Sequence, residues 1–175
     1  DLTTLEYTPM NKKRYDAFAL AKERTYLKDR LNVIVRSDDV AGEFLWNCFS
    51  RTLCYASDLV GEIADDVVSI DNAMKWGFGW EYGPFEVLDA IGLEYFIDRL
   101  RKENRSIPSF LLKIKDSELS SVYKWIDGNR YSFCLEENKY TRIKNHLKSM
   151  NYFSLKTFDK TIKAHWSASL VDLGD

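Results

Sequence analysis

The chain has 175 residues, enough for one domain with a core of its own or one domain with a small addition. Hydrophobic residues make up 45% and charged residues 30%, the balance of a globular protein, which excludes a chain that stays disordered. The formal net charge of -2 provides no overall attraction to nucleic acid or to an anionic membrane surface, and neither is expected as a partner.

In chain order, residues 1–11 show no periodicity and contain Thr8-Pro9, so they read as a linker. Asp1-Leu2-Thr3-Thr4 lacks the basic and apolar regions of a signal peptide and an initiating Met, and the expectation is a piece of a longer polypeptide. Tyr15 to Val35 reads as two short helices broken near Thr25, with Leu27, Leu31, Ile34 and Val35 as the apolar face of the second. Ser37-Asp38-Asp39 then offers N-cap oxygens and first-turn acids. Val40, Phe44, Cys48, Thr52, Tyr55 and Leu59 follow at spacings of three and four, which predicts a long central helix with this stripe inward and Gly61 at its end.

Val67 to Lys75 reads as a further helix with Ile70, Ala73 and Met74 inward, and Trp76-Gly77-Phe78-Gly79-Trp80 as a loop of core or interface aromatics. Gly83-Pro84 opens the next helix, because proline lacks the N–H that would be unpaired at a first helical position. Phe85, Leu88 and Ile91 supply its face and Gly92 closes it; Leu93 to Lys102 and Pro108 to Lys115 complete the helical part. After Ser120 the period changes to two. Val122 to Ile126 and Arg130 to Cys134, joined by Asp127-Gly128-Asn129, predict a β-hairpin whose Tyr123, Trp125, Tyr131 and Phe133 pack back on the helices. Ser154 to Ala164 is expected as one more helix, and residues 167–175 as the start of a strand. No run approaches the roughly 20 apolar residues that cross a bilayer.

Candidate chemistry is sparse. Cys48, Cys54 and Cys134 form no paired motif and are expected as small core thiols in a reducing, cytoplasmic setting. His146 and His165 lie far from them, so no metal site is expected. Gly77-Phe78-Gly79 is followed by Gly83 one residue too late for a dinucleotide fingerprint and has no strand before it, so no cofactor-binding residue is assigned. Glu81, Glu86 and Asp89 have the look of paired carboxylates, although Glu86 more simply complements a helix N-terminus. Lys12-Lys13-Arg14 and the basic residues of Arg99 to Lys102 read as solvated faces.

One stretch carries a resemblance. Ile70-Asp71-Asn72-Ala73-Met74, the Gly77-Phe78-Gly79 loop, Gly83-Pro84-Phe85-Glu86-Val87-Leu88-Asp89 and Gly92-Leu93 stand in order and at the spacing of the 3-hydroxyacyl-CoA dehydrogenase C-terminal domain, which they resemble. Upstream, Ala41-Gly42-Glu43-Phe44-Leu45-Trp46-Asn47 resembles that domain's Gly-Phe-Ile-x-Asn-Arg opening. Asp1 to Tyr7, Glu62 to Asp66, Lys75 to Trp80 and the ending Ala168 to Asp175 are similar to bacterial and archaeal enzymes that fuse this dehydrogenase to an enoyl-CoA hydratase.

The resemblance implies a mainly α fold, a helical bundle of this type with a small β-hairpin appendage after residue 120. It implies a linker from an NAD-binding domain at 1–11, the helical domain at 12–118, a hairpin and connecting segment at 119–166, and the start of a hydratase domain at 167–175. The implied reaction is NAD-dependent oxidation of 3-hydroxyacyl-CoA in fatty acid β-oxidation. The family's catalytic His–Glu pair and NAD site belong to the other domain, so no catalytic residue is expected here and the chain alone is expected to be inactive. Asn47 is implied to reach the substrate, in a register that leaves Trp46 as the alternative occupant of that position, and Gly83, Pro84 and Phe85 to line the acyl pocket. A homodimer is implied as well. An alternative of a different class is a non-catalytic module for self-association.

Overall fold

The computed structural model describes residues 4–7, 13–143, 161–164 and 169–171, which form seven helices followed by five short strands. They fall into two compact units, Asp1–Phe49 and Ser50–Asp175, divided within the third helix. The expected linker is described only at residues 4–7, which are exposed.

In the first unit, α1 (Asp16–Lys22) packs against α2 (Leu27–Val35), burying Ala17, Ala21 and Val35. The break falls where the sequence predicts it. Arg30 spans it, donating from Nε to the Arg24 carbonyl at 2.8 Å. Asp39 begins α3 (Val40–Asp58) as the N-cap: Gly42 N–H donates to its Oδ1 at 2.9 Å and Ala17 N–H to its Oδ2 at 3.1 Å, so one carboxylate serves the starts of two helices. The Gly42 amide above all holds the Asp39 carboxyl below its ordinary range. A Cβ on Gly42 would stand 2.8 Å from the Ile34 carbonyl oxygen and still closer to that of Ser37, so only glycine fits.

The inward stripe expected on α3 is corrected. Val40, Phe44 and Tyr55 are 70%, 65% and 68% exposed, and Cys48 is exposed too, against the expectation of a core thiol. The buried line is Ala41, Trp46, Ser50, Leu53, Ala56 and Val60. Both stripes have helical spacing. The buried one is rich in small residues that permit close approach, a feature that hydrophobicity alone undervalues.

In the second unit, Asp66 caps α4 (Val67–Phe78), accepting from Ser69 N–H at 2.7 Å. This helix runs three residues past its expected end, and Gly79, at φ 69°, is its left-handed cap. The expected aromatic loop is therefore largely helix. Trp76 and Phe78 stand exposed in this chain instead of entering its core, and Ala73 is exposed rather than inward. Next come α5 (Pro84–Ile91), α6 (Leu93–Lys102) and α7 (Ser109–Asp116), whose Leu88, Ile91, Phe96, Leu100, Leu111 and Ile114 form the core. Arg99, Arg101 and Lys102 occupy the last turn of α6, where cations suit the negative end of the helix.

The hairpin is present as β1 (Tyr123–Ile126) and β2 (Asn129–Cys134), turning through Asp127 and Gly128 at φ 46° and 72°, as a two-residue turn of this hand requires. A third strand, β3 (Lys139–Arg142), pairs antiparallel with β2 and was not expected. Phe133 is buried and joins an edge-to-face series with Phe110 and Phe85, at centroid distances of 5.8 and 5.5 Å. The sheet thus shares a core with the helices. Trp125 departs from expectation, being half exposed.

The helix expected over Ser154 to Ala164 is replaced at its described end by β4 (Thr161–Ala164), paired antiparallel with β5 (Ser169–Val171); its earlier part lies outside the described residues. The β-branched Thr161 and Ile162 suit a strand. The strand expected in the tail is present as β5.

Candidate functional site

The start of α5 lacks a cap of its own. An N-cap residue normally lends a side-chain oxygen to the free amides of the first turn, and Gly83 has none to lend. Asp71, on α4, supplies it: Phe85 N–H donates to Asp71 Oδ1 at 2.8 Å and Glu86 N–H to Oδ2 at 3.2 Å. The carboxylate fits only because position 83 is glycine. A Cβ there would stand 2.5 Å from the Asp71 Cα and closer still to its side chain. Glu86 completes the start from within, accepting from Gly83 N–H at 2.9 Å.

From this start a polar cluster extends to the sheet. Glu86 Oε1 accepts from Lys75 Nζ at 3.1 Å and from Arg130 Nη2 at 2.7 Å. The Arg130 guanidinium lies 4.0 Å from the Tyr123 ring centroid, and Tyr123 donates its hydroxyl to Asp71 Oδ2 at 2.7 Å. Arg130 Nε is buried with no acceptor among the described residues. On the next turn of α5, Asp89 accepts from Val122 N–H at 2.7 Å and Tyr123 N–H at 2.8 Å, fixing the entry to β1.

Burial sets the electrostatics. It pushes the Asp71 carboxyl up to about 6, against the pull of the Phe85 amide and the Tyr123 hydroxyl. It pushes Asp89 up to about 7 despite the two β1 amides, with Asp71 adding repulsion. Burial also acts on Glu86, but the Gly83 amide and the Arg130 and Lys75 cations outweigh it and hold that carboxyl below its ordinary range. Tyr123 is driven well above its usual range by burial and by Asp71.

Perturbed carboxyls in a cleft are candidates for acid–base work. Asp71 is 1% exposed and its oxygens are engaged by protein donors, so no substrate atom has a place on it. The cluster is a structural lock. Its signal in the sequence was the glycine-proline helix start without a cap of its own; Tyr123 and Arg130 gave no local signal.

The expected site residues are divided between the two units. Asn47 lies exposed on α3, in the first unit, its Nδ2 donating to the Glu43 carbonyl at 2.9 Å, while its neighbour Trp46 is buried. Gly83, Pro84 and Phe85 are in the second unit and all buried. Glu81 is exposed and takes no part in the carboxylate cluster. Gly77 lies within α4 and Gly79 caps it, so this glycine pair ends a helix, whereas a dinucleotide cradle needs glycines between a strand and a helix start. His146 and His165 lie outside the described residues. Among the described residues no group of His, Cys, Asp and Glu could hold a metal ion, and no helix is long and apolar enough to cross a membrane. An open groove of about 640 Å³ runs between α4 and the sheet, bordered by Ser69, Ala73, Trp76, Phe133 and Ile143.

Residues 44–110 match the family model described as 3-hydroxyacyl-CoA dehydrogenase, C-terminal domain. Over all 175 residues the chain is 39% identical to a Bacillus subtilis (strain 168) protein bearing the name probable 3-hydroxyacyl-CoA dehydrogenase. It covers 22% of that relative, so the chain spans about a fifth of the protein it matches along its whole length. Two Rickettsia proteins bear the name of a trifunctional enzyme of a fatty acid oxidation complex. The Rickettsia prowazekii (strain Madrid E) protein is 28% identical over 105 residues, 58% of this chain and 14% of the relative. The Rickettsia felis (strain ATCC VR-1525 / URRWXCal2) protein is 37% identical over 60 residues, 34% of this chain and 8% of the relative. No solved structure matches.

Proposed function

We propose that the chain is the helical part of an NAD-dependent 3-hydroxyacyl-CoA dehydrogenase of fatty acid β-oxidation, forming one wall of the acyl-CoA cleft. The observation that carries this is the 39% identity along the full chain to a relative so named, joined to the family match over residues 44–110. NAD, bound by a domain outside this chain, would supply the hydride acceptor, and no step is assigned to this chain's residues through it. The catalytic His–Glu pair is likewise assigned outside the chain. A cytoplasmic setting and fusion to an enoyl-CoA hydratase belong to the same proposal, the latter supported by the trifunctional names of the Rickettsia relatives.

Within the chain, Asn47 is the residue we assign to the substrate. Its amide is exposed and can donate to or accept from a 3-oxygen. Gly83, Pro84 and Phe85 are buried, which suits support of an acyl pocket better than direct contact with the acyl chain. The test is Asn47→Ala in the full-length enzyme: kcat/KM for acetoacetyl-CoA is expected to fall at least about tenfold, the size of one lost hydrogen bond to a reacting oxygen. Unchanged kinetics would remove Asn47 from the site. This chain alone, given NADH and acetoacetyl-CoA, is expected to show no turnover, and turnover would overturn the assignment.

A second reading has its own support. Val40, Phe44 and Tyr55 form an exposed apolar line on α3, as a face for a second copy would. Phe44→Lys is then expected to convert a dimer to a monomer in light scattering.

A further inference from the structure

Charged and titratable groups from five elements converge where the sheet meets the helices. Asp71 and Lys75 come from α4, Glu86 and Asp89 from α5, Tyr123 from β1 and Arg130 from β2. Tyr140 of β3 is joined through Ser121, its hydroxyl donating to the Ser121 carbonyl at 2.7 Å. Three carboxylates therefore face two cations. Both cations are spent on Glu86, whereas Asp71 and Asp89 are held by backbone amides and a phenol. One negative charge is left without a counterion in a cluster whose Asp71 is 1% exposed, where an isolated charge is costly.

We propose that this cluster takes up one proton, held by Asp71 or Asp89, and that this proton latches the three-stranded sheet onto α4 and α5. The upward displacement of the two carboxyls, to about 6 and about 7, has the sign that the charge count requires. The pair repel each other, so a proton on either one relieves the other. Because the folded values lie above the ordinary 3.8, the fold binds the proton more tightly than the unfolded chain does. The stabilisation is full below the ordinary carboxylate value and is lost as pH rises through about 6 to about 7. Opening that admits water to Asp89 also frees the Val122 and Tyr123 amides, so the loosening is felt first at β1.

The experiment is a carboxyl carbon-13 NMR titration of the 175-residue chain between about pH 5 and pH 8.5, paired with urea unfolding over the same range. The expected result is a carboxyl transition at Asp71 or Asp89 inside that range. The unfolding constant should rise there, approaching tenfold per pH unit for one proton. Titration of both carboxyls below about pH 5, their ordinary range, overturns the latch, as does a flat unfolding constant. The variant Asp89→Asn separates this carboxyl from any other group that contributes to the slope. Loss of the slope in that variant supports the latch and a surviving slope overturns it. If Asp89→Asn does not fold, the carboxyl titration of the unaltered chain decides alone.

Discussion

Gly83 is fixed by what stands beside it, since its φ of -73° is open to any residue. Gly83→Ala drives a methyl group into Asp71, and relief requires moving a carboxylate that caps a helix and holds a tyrosine. The expected cost is about 2 kcal/mol of unfolding free energy, at the middle of the range for overpacking, read from the urea midpoint. Tyr123→Phe removes a single donor from Asp71 and leaves its two amides in place, so a loss of about 1 kcal/mol is expected from the same measurement. A negligible loss in Gly83→Ala would mean that Asp71 gives way to the methyl group without losing its cap.

Among the elements, helix starts prove more legible than helix faces. The acids ahead of α3 predict its cap, and Asp39 is found there; Pro84 at the first position of α5 and the Asp127-Gly128 turn are read as directly. Asp66→Ala, which leaves Ser69 N–H without its acceptor, should therefore cost about 1 kcal/mol and fray the first turn of α4, visible as faster amide exchange at Ser69. The face of α3 was misread because two lines of residues share its period, and the one with more large apolar side chains faces outward. The strand β3 was missed because Lys139 to Arg142 is short and polar, and pairing with a neighbour is what makes it a strand. Asp71 and Asp89 were invisible as a pair for a related reason. Their partners lie in elements distant in sequence, and a buried carboxylate looks like a surface one until those partners are known.

At the scale of the whole molecule, the sheet and the helices of the second unit are one cooperative structure. Phe133 on β2 meets Phe110 on α7, which meets Phe85 on α5. Phe133→Ala should cost about 3 to 5 kcal/mol, as truncation of a buried phenylalanine does, and helical and tryptophan signals should fall in a single transition. A separate early loss of the Trp125 signal would show the sheet melting by itself. The same aromatic series bears on where the polypeptide can be shortened. A cut after residue 118 respects the change from helices to strands, yet it strips Phe133 from Phe110 and removes the amides that Asp89 engages. What remains would carry a raw apolar scar and an orphaned carboxylate, the combination that turns a trimmed domain into inclusion bodies. A serviceable boundary falls beyond Arg142, with all three strands retained.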